Sequence, residues 1–160
     1  MARVFLALGS NQGDSPGIIR SAFDELSRLL AEPRLSRLWR TAPLYVEDQP
    51  DFVNAAASGE TSLGPRELLA ATQAIESAFG RDRSRGRPKG PRSLDIDILL
   101  YDALVLAEPG LVIPHAGLKE RLFALLPLLD LDPALRDPSS GESYASIART
   151  LPDQGIYLMG

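Results

Sequence analysis

The chain has no cysteine, which removes disulfides, thiolate nucleophiles and cysteine-held zinc from consideration together. Histidine is nearly absent too: His115 stands alone, too little imidazole for a histidine-built zinc centre. No apolar run approaches a membrane span, and Met1-Ala2-Arg3 leading into Val4 to Gly9 is too short and poorly flanked for a signal peptide. A soluble, cytoplasmic protein with no membrane contact is the expectation, and the lack of cysteine fits a reducing compartment. An excess of positive charge is also missing. With 17 basic against 21 acidic residues the net charge is −4, which argues against a general nucleic-acid binder. Internal repeats and low-complexity tracts are absent, and no obligate protein partner is implied.

What remains is an ordinary globular composition, 44% hydrophobic and 24% charged over 160 residues, which suits one domain spanning 1–160. Val4 to Leu8 reads as a buried strand, stopped by Gly9 to Asp14, and Ile18 to Leu30 repeats at helical spacing until Pro33. Leu35 to Thr41 and Phe52 to Ala57 read as neighbouring strands around a loop with Pro43 and Pro50. Pro65 opens a second helix, with Leu68, Leu69, Thr72, Ile75 and Phe79 as its core stripe and Gly80 as its stop. Leu94 to Tyr101 is a fourth strand. The order β-α-β-β-α-β predicts an α+β, ferredoxin-like fold, an antiparallel sheet with two helices on one face. A short strand near Val105, a helix or turn over 117–126 and a small helix near 144–149 would form a C-terminal appendix.

Two carboxylates interrupt the fourth strand. Asp95 and Asp97, at i and i+2, share one face while Leu94, Ile96 and Ile98 fill the other. Side-by-side anions call for a counterion, and a hard oxygen pair without cysteine favours Mg²⁺ over Zn²⁺. Just upstream, Arg81, Arg83, Arg85, Arg87, Lys89 and Arg92 face the single Asp82, a concentration of cations in an otherwise acidic chain. Guanidinium groups beside a magnesium site suit a polyphosphate, and the glycines and prolines of 84–91 suit a mobile loop. Phe52 and Asn54 share a strand face, an aromatic plate beside an amide that donates and accepts, a pairing suited to a flat heterocycle.

Several motifs in order carry a resemblance. Ala7 to Asp14, Arg40-Thr41-Ala42-Pro43, Asp48 to Asn54, Gly90-Pro91-Arg92-Ser93-Leu94-Asp95-Ile96-Asp97 and Ile113-Pro114-His115 together resemble the 6-hydroxymethyl-7,8-dihydropterin pyrophosphokinase family of folate biosynthesis, nearly end to end. The resemblance implies transfer of pyrophosphate from the co-substrate ATP to the pterin hydroxymethyl oxygen, with AMP released and two Mg²⁺ ions held by Asp95 and Asp97. It also implies catalytic roles for Arg81, Arg92, Asp95 and Asp97, and nucleotide contacts from Gln73, Glu76, Arg83, His115 and Arg121. Thr41, Pro43, Leu44, Phe52, Asn54 and Phe123 would form the pterin pocket, with Phe123 as the second face of a ring sandwich. Gln73 and Glu76 lie off the apolar stripe of their helix in this reading, and their assignment rests on the resemblance alone.

The chain departs from the family pattern at Lys89, where many members carry a Trp, in a loop one residue longer. Gly110 and Val112 stand where some relatives have polar or basic nucleotide contacts. Two rival readings follow from the same fold class: an RNA-recognition sheet, which Asp95 and Asp97 would oppose by repelling phosphates, and an ATP-dependent transferase with another acceptor.

Overall fold

The computed structural model describes residues 1–42, 50–80 and 93–159. Strand β1 (Ala2–Ser10) lies inside an antiparallel sheet between two later strands and feeds two cores, Val4, Leu6 and Leu8 on one side and Phe5 on the other. Helix α1 (Ser15–Ser27) starts where the Asp14 carboxylate accepts the Gly17 N–H at 3.3 Å, an N-cap. It stops before the end of the apolar pattern. Leu30 is already in the connection to β2 (Ala31–Leu35), and Pro33, expected as a helix stop, sits inside that strand. The strand's register slips there, between Ala31 and Arg34, so the missing proline N–H breaks no regular ladder.

The single strand expected over 35–41 is two, β2 and β3 (Trp39–Thr41), both paired with β4 (Phe52–Thr61). Ser36 causes the break. Its N–H donates to the Ala56 carbonyl at 2.8 Å, but its hydroxyl, not its carbonyl, accepts the Ala56 N–H at 2.8 Å. Helix α2 (Pro65–Ala78) opens on Pro65, and Gly80 follows it at φ 87°, a conformation glycine reaches without a Cβ clash. Strand β5 (Asp95–Tyr101) then pairs with β1, with Leu6 opposite Ile98 and Phe5 opposite Leu100, so Leu99 is an extra residue in a bulge.

A hairpin of β6 (Leu106–Glu108) and β7 (Leu111–Ile113) precedes a 3₁₀ turn at Leu118–Glu120, helix α3 (Leu122–Leu131), helix α4 (Tyr144–Thr150) and strand β8 (Ile156–Leu158). The main sheet runs β5-β1-β4-β3-β8, with β2 also on β4. Ile19 and Leu26 of α1 and Leu68 of α2 pack with Val4, Leu6, Ile96 and Ile98 on one face. Leu125 and Leu128 of α3 and Tyr144 and Ile147 of α4 pack with Phe5, Ala56 and Leu100 on the other. Each fully buried leucine or isoleucine contributes roughly 1.5–3 kcal/mol. Helices therefore cover both faces, and the segment expected as an appendix supplies the second layer. Among the described residues no helix is long and apolar enough to cross a membrane.

Candidate active site

The α3 face of the sheet is left partly open at one end, where the strand register lines up the polar side chains. Asp95 sits opposite Gly9, Gly9 opposite Asn54, and Asn54 opposite Trp39, so one row across four strands holds a carboxylate, a bare backbone, an amide and an indole. The next row holds Asp97, Ala7 and Ala56. Two strand spacings, about 10 Å, separate Asp95 from Asn54 over a floor of glycine and alanine. A Cβ on Gly9 would come 3.3 Å from the Asn54 Oδ1, so glycine keeps this floor clear. Asp95 and Asp97 are partly exposed here, while Leu94, Ile96 and Ile98 are buried on the opposite face, the alternation read from the sequence.

Across the floor, two polar atoms are buried without a partner among the described residues. Asn54 Nδ2 and Thr41 Oγ1 make no hydrogen bond there, although both residues are almost fully buried. Thr41 pairs with Phe52 and Trp39 with Asn54 across β3 and β4, so all four side chains share this face. An orphaned buried amide donor costs about 1–3 kcal/mol, a cost that a ligand acceptor would relieve. Phe52 is half-buried at the end of the same strand, with its ring on the side of these atoms rather than in the core.

On the aspartate side, the 115–121 segment docks onto β5. The His115 N–H donates to the carbonyl of the bulge residue Leu99 at 3.0 Å, and the Gly117 N–H donates to His115 Nδ1 at 3.1 Å. That bond orients the ring so that Nε2 lies 3.8 Å from an Asp97 carboxylate oxygen. Arg121 lies behind. Its guanidinium rests 5.7 Å from the centre of the Phe123 ring, and a Cβ on Gly117 would come within 2.6 Å of its Nε. The structure thus sets His115 beside Asp97, with Arg121 and Phe123 packed on each other further along the same segment.

Glu76 differs from expectation. It is 1% exposed, on the core stripe of α2 four residues after Thr72 and eight after Leu68, and its Oε2 accepts the Ile96 N–H at 2.8 Å. A carboxylate's chemistry suggests a polar group off the stripe, whereas the spacing puts this one inside, bonded to the strand that carries the aspartates. Gln73, one turn earlier, is exposed. Arg81, Arg83, Arg92, Pro43 and Leu44, with Lys89 and the loop from 84 to 91, lie outside the described residues. Trp39 belongs to the site without any mark in the sequence. Its indole N–H donates to Asp130 of α3 at 3.0 Å, and Arg37 binds the same carboxylate at 2.6 Å. Only the cross-strand register, which one strand's sequence does not contain, places it beside Asn54.

The donor set suits a hard cation. Two same-face carboxylates offer oxygen alone, and no third acidic or histidine group completes a cage among the described residues. Magnesium keeps waters and takes substrate phosphate oxygens, so a carboxylate pair fits it better than it fits zinc. A separate cleft of about 480 Å³, lined by Asn11, Asp14, Arg40, Asp51 and Val53, opens at the β1–α1 turn on the side of Val53, opposite to Asn54.

A family model described as 7,8-dihydro-6-hydroxymethylpterin-pyrophosphokinase matches residues 5–133. The chain belongs to this family. Within it, the 2-amino-4-hydroxy-6-hydroxymethyldihydropteridine pyrophosphokinase of Pseudomonas aeruginosa is 43% identical over 157 residues, 96% of this chain and 94% of that protein. That of Methylorubrum extorquens is 37% identical and matches over 98% of both chains. The folic acid synthesis protein fol1 of Schizosaccharomyces pombe is 40% identical over 96% of this chain, which spans only 21% of that protein's length. The wild-type Plasmodium falciparum HPPK-DHPS crystal structure shares the pyrophosphokinase fold at a TM-score of 0.72, with 14% identity, over 92% of this chain and 44% of its own.

Proposed function

We propose that this chain, read as one pyrophosphokinase domain over 1–160 with a ferredoxin-like core and a C-terminal addition, acts in the cytoplasm on two small molecules, ATP and 6-hydroxymethyl-7,8-dihydropterin. The observation that carries the site assignment is the row joining Asp95 through Gly9 to the orphaned amide of Asn54. Asn54 and Thr41 would bind the pterin edge, and Phe52 and Phe123 would stack on its two faces, with Pro43 and Leu44 completing the pocket. The hydroxymethyl group would then lie over the Gly9 and Ala7 floor, beside the carboxylates.

Asp95 and Asp97 would hold Mg²⁺, two ions by family resemblance. When bound, magnesium neutralises phosphate charge and lowers the pKa of the attacking alcohol. His115, Arg121, Arg83 and Gln73 would orient the nucleotide, and Arg81 and Arg92 would stabilise charge on the β- and γ-phosphates. Glu76, bonded to the Ile96 N–H between the two aspartates, would hold that strand in place. The pterin hydroxyl oxygen would bond to the β-phosphorus and release its proton to water as the bond from that phosphorus to the α–β bridging oxygen breaks, and AMP would leave with that oxygen.

The test is incubation with Mg²⁺, ATP and 6-hydroxymethyl-7,8-dihydropterin, with separation of the nucleotides. AMP and a pyrophosphorylated pterin are expected. ADP as the product would mean simple phosphoryl transfer and would overturn the proposal.

A further inference from the structure

The C-terminal tail, beyond the residues matched by the family model, reaches the residues that flank Arg121 through one side chain. Gln154 Oε1 accepts the Leu122 N–H at 2.9 Å, and its Nε2 donates to the Glu120 carbonyl at 2.9 Å. These are the peptide groups on either side of Arg121. The residue between them is extended, at φ −122° and ψ 104°, and joins the 3₁₀ turn to α3. At this junction neither helix supplies those two bonds. A single amide closes both, as a neighbouring strand would.

We propose that Gln154 is a positioning residue that holds Arg121 by bracketing its backbone. The tail turns at the amide, where the Gly155 N–H donates to Asp153 Oδ1 at 2.8 Å, and is anchored just beyond it, where Ile156 pairs with Thr41 across β8 and β3. Arg121 is then confined from three directions, by Gln154 along its backbone, by the bare Cα of Gly117 and by the Phe123 ring. The bracket also joins the two halves of the site, since the same short tail touches the strand of Thr41 and the start of the helix that carries Phe123. The proposal rests on the reading of Arg121 as a nucleotide contact.

Gln154→Met keeps the side-chain length and removes both hydrogen bonds. Affinity for a non-hydrolysable ATP analogue, measured by calorimetry with Mg²⁺, is expected to fall about three- to tenfold, with thermal unfolding nearly unchanged because the side chain is only half-buried. Gln154→Glu keeps the acceptor for Leu122 but sets a carboxylate against the Glu120 carbonyl, so it should lose at least as much. The decisive comparison is the double variant: in an Arg121→Ala background, Gln154→Met should weaken binding less than about twofold further, because its route is already gone. Losses that multiply would overturn the proposal. So would wild-type affinity in Gln154→Met while Arg121→Ala is impaired, or a Gln154→Met chain that does not fold. Undiminished affinity in Arg121→Ala would instead remove the nucleotide reading, and this proposal with it.

Discussion

Asn54→Leu should make the protein more stable and less able to bind pterin, two changes of opposite sign from one substitution. Leucine matches the branched shape of asparagine, so the 6%-exposed site is refilled without a large cavity. The substitution removes a buried Nδ2 that has no partner among the described residues, a penalty of about 1–3 kcal/mol in the free protein. Part of that gain is lost with whatever the amide oxygen accepts, which leaves a net stabilisation of about 1 kcal/mol. For a domain of this size that is a rise of about 2–4 °C in melting temperature. Pterin binding should lose the amide's hydrogen bonds, about 1–3 kcal/mol or roughly 5- to 150-fold in Kd. Thr41→Val, which deletes the second orphaned atom at constant shape, should behave alike on a smaller scale. Thermal unfolding and calorimetric titration with 6-hydroxymethyl-7,8-dihydropterin in the presence of a non-hydrolysable ATP analogue read both quantities. A lower melting temperature with unchanged pterin affinity would show that Asn54 serves the fold and would refute the reasoning.

Asp95→Asn and Asp97→Asn should each cut turnover on the order of a hundredfold or more while leaving unfolding midpoints equal or higher, since a like-charge pair is relieved; full activity in both variants would defeat the metal assignment. Phe52→Ala should weaken pterin binding by about 1–3 kcal/mol with ATP binding nearly unchanged, and equal losses for both ligands would make Phe52 a structural residue. Asp137 is the acid-sensitive point of the second layer. Burial pushes its carboxyl up, but Lys119 at 2.7 Å and the Ser140 hydroxyl at 2.8 Å outweigh this and hold it at about 2, against 3.8 in an unfolded chain. Because the folded value is the lower one, the associated stability, at most about 2 kcal/mol, is complete above pH 3.8 and is lost as pH falls toward 2. Denaturant unfolding at pH 6 and pH 2.5 should show that loss in the parent chain and much less of it in Asp137→Asn.

The parts of this molecule that are legible in its sequence are those governed by a single strand's alternation. Asp95 and Asp97 on one face with Leu94, Ile96 and Ile98 on the other, or Phe52 beside Asn54, follow from a period of two and need no knowledge of neighbours. The row from Asp95 to Trp39 depends on the registers of three strand pairs, which long-range packing sets. The second layer is hidden for another reason. Helix α3 is apolar on nearly all sides and contains Pro127, so neither a polar stripe nor a clean propensity marks it. Glu76 misleads through its chemistry, since a carboxylate looks like surface until the Ile96 N–H beneath it is seen. Ser36 breaks a strand by a hydroxyl substitution that no periodicity signals.

The bulge at Leu99 decides which changes in the length of β5 keep its two faces in place. Residues 95 and 101 are an even number apart, yet Asp95 faces the site and Tyr101 packs with the opposite core, donating its hydroxyl to the Leu63 carbonyl at 2.6 Å. Loss of Leu99 would let the ladder close with Ile98 and Leu100 still opposite Leu6 and Phe5, so both ends would keep their faces. Loss of Ile96 would turn Asp95 into the core beneath α2. Loss of Leu99 is still not silent, because it removes a fully buried leucine of the second core and the carbonyl that receives the His115 N–H. A chain shortened at Leu99 would therefore keep the carboxylate pair on its face and still lose the seat of the imidazole, so a single residue separates two features of the site.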